Sequence, residues 1–66
     1  MRKIREMDLY DVDVQHALYA VNEGLEELGI DEKDIISVQH EEVDPPIRMH
    51  PGNREGRSLI RVFYWA

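Results

Sequence analysis

The most constraining stretch of this sequence is SLIRVFYWA, residues 58–66. Large apolar side chains fall on both parities, with Ile60, Val62 and Tyr64 on one and Leu59, Phe63 and Trp65 on the other. Successive side chains of a strand point to opposite faces, so a strand of this kind needs cover from both sides. A chain of 66 residues has little to cover it with. A domain of that size hides only about 60% of the surface its unfolded chain exposes. Without cysteine no disulfide can staple it. A second copy of the chain is the simplest remaining way to bury the second face.

One cover for one face is plain. Val14, Leu18, Val21, Leu25 and Leu28 are spaced four, three, four and three apart, and Ala17 widens the stripe. That period predicts an amphipathic helix from Asp11 or Asp13 to Leu28, either aspartate being able to accept from the free amides of the first turn. Gly29 stops it, and a left-handed Gly29 folds Ile30 back onto Leu25. Before the helix, KIREMDLY reads as a strand with Lys3, Arg5, Met7 and Leu9 on one side and Ile4, Glu6, Asp8 and Tyr10 on the other, a poor alternation, the alternative being that Asp8 caps an earlier helix start that runs back through Leu9 and Tyr10. After it, IDEKD is a polar turn. DIISVQHEEV then reads as a strand with Ile36, Val38 and His40 on one face and Ile35 and Val43 on the other.

Residues 44–57, DPPIRMHPGNREGR, read as a loop, because Pro45, Pro46 and Pro51 lack amide donors while Gly52 and Gly56 permit tight turns. The order strand, helix, strand, strand is that of a single α+β domain, βαββ. One helix lies on one face of a three-stranded sheet, and the last two strands form an antiparallel hairpin. Whether the first or the last strand lies in the middle is open.

The net charge of −6 is unevenly spread. Residues 1–5 are basic through Arg2, Lys3 and Arg5. Residues 6–44 hold thirteen of the 14 acids with Lys33 as the only Lys or Arg, and residues 45–66 are basic again through Arg48, Arg54, Arg57 and Arg61 against Glu55. An acidic middle disfavours a protein that coats duplex nucleic acid, whose affinity comes from releasing counterions at many phosphates. The layout suits pairing of the basic ends with an acidic helix, within one chain or between two. The longest apolar run, FYWA, is far short of the roughly 20 residues a bilayer requires. MRKIREMDLY lacks the apolar core of a secretory signal. A soluble, cytoplasmic protein is expected.

Absence of cysteine removes thiolate nucleophiles, CxxC redox pairs and cysteine-ligated zinc or iron–sulfur sites. His16, His40 and His50 fall on helix, strand and loop, so a zinc site, with Glu41 or Glu42 as a further ligand, would need the fold to gather them. No metal or other cofactor is expected. Glu41, Glu42 and Asp44 are close in sequence, but neighbours on a strand diverge. Ser37 and Ser58 lie outside any GxSxG context, and there is no threonine. Catalysis is not expected. The loop offers a different chemistry. Arg48, His50, Asn53, Arg54 and Arg57 supply planar or forked donors beside Gly52 and Gly56, a composition that suits an anion. With Tyr64 and Trp65 nearby as stacking surfaces, it also suits single-stranded nucleic acid.

VNEGLEELG, then DIISVQ, then LIRVFYWA resembles the apolar pattern of short bacterial strand–helix–strand–strand proteins, among them a small sporulation-associated family from spore-forming bacteria. That resemblance implies the fold and a bacterial origin and carries no site residue. The dodecin family of flavin-storing oligomers shares the element order and uses a tryptophan. Its binding tryptophan precedes the last strand, whereas Trp65 lies at the end of this one and IISVQH has no aromatic, so flavin is not expected. The leading expectation is a non-enzymatic homodimer joined through the outer sheet face, anchored by Leu59, Phe63 and Trp65. The alternative is an anion or single-stranded nucleic-acid module using the arginines of residues 48–57.

Overall fold

A computed structural model of the chain describes residues 1–49 and 54–66. Strand β1 (Ile4–Asp11) leads into helix α1 (Val14–Glu27). A single 3₁₀ turn (Glu32–Asp34) then precedes β2 (Ile35–Met49) and β3 (Arg54–Trp65). The sheet order is β1-β3-β2 and both pairings are antiparallel. The fold is the expected α+β arrangement, and the order left open in the sequence is settled: β3 is the middle strand. Its position follows from its composition. β3 is apolar on both parities, while β1 carries Glu6, Asp8 and Asp11, and β2 carries Pro45 and Pro46, residues suited to an edge.

The helix begins at Asp13, whose side chain accepts from the backbone amide of His16 at 2.9 Å. Asp11 is not the cap; it ends β1 and accepts from the amide of Val12. At the other end Gly29 has φ 68°. Its amide donates to the carbonyl of Glu26, and the amide of Ile30 to that of Leu25. These two bonds form a Schellman ending, and Ile30 packs against the core as its side of that motif requires.

The helix covers β1 and β3. Ala17, Val21 and Leu25 bury against Ile60, Val62 and Tyr64, with Met7, Leu9, Val14, Ile30 and Ile35 packed around them. Gly24 permits the close approach to β1, since a Cβ there would stand 3.3 Å from Sδ and Cε of Met7. The apolar stripe is therefore narrower than its sequence period, and Leu18 and Leu28 stay exposed at its margins. β2 overhangs. Val38 pairs with Val62 and shares its face, yet Val38 is 52% exposed where Val62 is 0%.

Two expectations about β2 are corrected. One extra residue between Ile35 and Ser37 makes a bulge, so Ile35 opposes Tyr64 on the same face as Val38 and His40, and Ile35, not Ile36, packs on the core. Within the stretch expected as a loop, residues 44–49 and 54–57 are strand, and residues 50–53 lie outside the described residues. β2 continues to Met49 and β3 starts at Arg54, four residues before Ser58, so the two strands project past the end of β1 as a two-stranded arm. The prolines are absorbed where the register jumps from Glu42↔Ser58 to Ile47↔Gly56, a segment that includes a cis Asp44–Pro45 peptide bond. An edge strand tolerates this because its outward amides have no ladder to serve. Gly56 is buried in the arm, and a Cβ on it would meet Sδ of Met49 at 2.9 Å.

Candidate interaction surface

The face of the sheet away from the helix is built by one parity of each strand. From β3 come Glu55, Arg57, Leu59, Arg61, Phe63 and Trp65. Opposite Trp65 stands Ile4, opposite Phe63 stand Glu6 and Ser37, opposite Arg61 stand Asp8 and Gln39, and opposite Leu59 stand Tyr10 and Glu41. The expected anchors Leu59, Phe63 and Trp65 do share this face, though not equally. Leu59 is 4% exposed and already covered by its own chain, Phe63 is half-buried, and Trp65 is 40% exposed beside Ile4 at 59%. The most exposed apolar surface therefore lies at one end of the face, at Ile4, Phe63 and Trp65, with Tyr10 at 37% farther along it. Arg2 reaches the carbonyl oxygen of Trp65 at 3.4 Å and pairs with Asp34, tying the N-terminal segment to that end.

Charge occupies the middle. Nε of Arg61 lies 3.1 Å from Glu6 and 3.3 Å from Asp8. The charge of Asp8 raises the Arg61 pKa, followed by the hydrogen bond the two share. The Glu6 carboxyl is held above its ordinary value chiefly by its hydrogen bond to Asp8, and Arg61 opposes that rise. Sequence reasoning singled out neither the acids nor Arg61 as part of this face. The parity was a legible signal for Arg61, which alternates with Leu59 and Phe63; the acids join it only through the strand register.

The three arginines of the arm do not all converge. Arg54 turns to the helix side of the sheet and pairs with Asp11 at 2.7 Å. Arg57 lies on the outer face and pairs with Glu55 at 2.5 Å. Arg48 pairs in register with Glu55 and so joins Arg57 on the outer side. His50 and Asn53 lie outside the described residues. The arginines also find their acids on β1, in the 3₁₀ turn at Asp34, or on β3 itself, rather than on the helix as its acidic sequence suggested. Arg54 and Arg57 are thus partly neutralised, which lowers the attraction of the arm for a free anion.

The histidines remain apart. His16 Nδ1 sits 2.7 Å from Asp13, and His40 Nε2 3.2 Å from Glu42. Among the described residues no three His, Cys, Asp or Glu side chains stand together as metal ligands do. Glu41 faces outward opposite Leu59, while Glu42 pairs with Ser58 on the helix side. Ser58 is 2% exposed, and His40 lies two residues along β2, opposite Ile60. Two shallow surface depressions lie on the helix, one lined by Glu23, Glu26 and Glu27, the other by Gln15, His16 and Tyr19. Both lie away from the outer face. No helix of the described residues is long and apolar enough to cross a membrane. No family model, curated protein or solved structure matches this chain.

Proposed function

We propose that this chain is a non-catalytic, cytoplasmic bacterial protein-interaction module that associates with itself through the outer face of its sheet. The observation that supports this reading is the apolar end of that face. Trp65, Phe63 and Ile4 adjoin in register on the side the helix does not cover, and two of them are substantially exposed. Large aromatics contribute most to an interface when they become central and desolvated. Phe63 and Trp65 are the anchors in this reading, and Leu59 is a floor already buried in each protomer. The bacterial and cytoplasmic parts rest on the resemblance over most of residues 4–66, on the lack of cysteine and on the lack of a long apolar run.

The test is solution mass by size-exclusion chromatography with light scattering across protein concentration. The wild type is expected to form a dimer, and Trp65→Ala to shift it toward monomer while circular dichroism stays unchanged. A wild type that is monomeric up to high concentration would overturn the proposal, as would a Trp65→Ala variant with the same dimer population.

A further inference from the structure

The outer face is electrically asymmetric along its strands. The half that belongs to the three-stranded body carries Glu6, Asp8 and Glu41 around Arg61, while the arm carries Arg48 and Arg57 around Glu55. One half has an excess of acid and the other an excess of base. Two copies packed outer face to outer face can be related in two simple ways. With strands parallel, acidic half meets acidic half and three carboxylates oppose three. With strands antiparallel, the arm of each copy lies over the acidic, aromatic half of the other.

Resting on the self-association proposed above, the geometry points to an antiparallel, two-fold symmetric dimer in which Arg57 and Arg48 of each arm cover the partner's Glu6, Phe63 and Trp65. Along β3 the row of Arg57 and the row of Phe63 lie six residues apart, so a two-fold axis beside Leu59 and Ile60 superimposes one on the other. The same axis sets the row of Arg48 and Glu55 over that of Trp65 and Ile4. At the axis Leu59 is recessed at 4% exposure, and Tyr10, at 37%, flanks it in the same row. Each arginine then meets a carboxylate, an aromatic ring, or both. A guanidinium is suited to either, being weakly hydrated and planar.

Area supports the same choice. The three-stranded part of the face spans eight rows, about 26 Å by 14 Å from ordinary strand rise and spacing. That is roughly half of the ~800 Å² per partner of a standard stable interface. The arm is the remaining surface on the same side of β3, and the antiparallel arrangement brings it into contact.

A charge swap tests the arrangement. Arg57→Glu and Glu6→Arg are made separately, their folding is checked by circular dichroism and thermal melting, and dimerisation is measured by sedimentation equilibrium at low salt. Each variant alone is expected to raise the dimer dissociation constant at least about tenfold, because like charges then oppose each other twice per dimer. An equimolar mixture is expected to restore wild-type association, since both contacts of the mixed dimer regain opposite charges. If the wild type dimerises but neither variant weakens it, or the mixture fails to restore it, the antiparallel arrangement is wrong and self-association stands. If the wild type is monomeric, the self-association reading itself fails. Should Glu6→Arg not fold beside Arg61, comparison of Arg57→Glu with Arg57→Gln decides: a weaker dimer for Glu than for Gln supports the contact, and equal dimers overturn it.

Discussion

Val62 and Val38 offer a matched pair for testing where the helix lies. They are chemically identical, directly opposed across the β2–β3 ladder and on the same face, but one is fully buried and the other half exposed. Replacing Val62 by alanine removes two methyl groups from the core, worth about 1.6 kcal/mol in transfer at ~0.8 kcal/mol each. The unfilled space adds about 1 kcal/mol at ~24 cal/mol per Å³ for a cavity of that size. The expected loss is thus about 2.5 kcal/mol, or roughly 10–20 °C in midpoint for so small a domain. Val38→Ala gives up half as much buried surface and leaves no cavity, so its cost stays below about 1 kcal/mol. Urea unfolding followed by circular dichroism measures both, repeated at two protein concentrations because dimerisation would add to stability by mass action. Equal losses at the two positions would refute the placement of α1 over β1 and β3, since something would then have to cover β2 as well.

Other outcomes follow from local features. Gly29→Ala is expected to cost about 1 kcal/mol, because φ of 68° is strained for a side chain although nothing stands within 4 Å of the added carbon. Gly29→Asn should lose less, and an alanine variant as stable as wild type in the same melts would contradict the Schellman ending. The Asp13 carboxyl is held below its ordinary value of 3.8, first by the backbone amide of His16 and next by its ring. Its folded pKa being depressed, its contribution is present above the unfolded value and is lost as pH falls through the folded one. Glu6, raised above 4.5, has the opposite sign: it favours the folded state below its unfolded value, a gain lost as pH rises through the folded one. Comparing wild type with Asp13→Asn isolates the cap. The wild-type advantage in thermal midpoint is expected to shrink as pH falls below about 3.8, and a difference that does not change with pH would refute the assignment.

Local signals determined much of this molecule. The 3.6-residue period, Asp13 and Gly29 are enough to begin, face and end the helix, because caps and periodicity act through neighbours within a few residues. The double apolar parity of residues 58–66 marked a strand needing cover on both sides, and the fold places that strand in the middle of the sheet. What the sequence could not show is long-range. Pro45 and Pro46 read as loop because a proline lacks a ladder donor, yet on an edge the missing donor faces outward, and whether a strand is an edge is a property of the assembled sheet. The same holds for the bulge that turns Ile35 inward and for the row that sets Glu6 and Asp8 around Arg61. Register couples residues more than fifty positions apart, and only tertiary pairing chooses it.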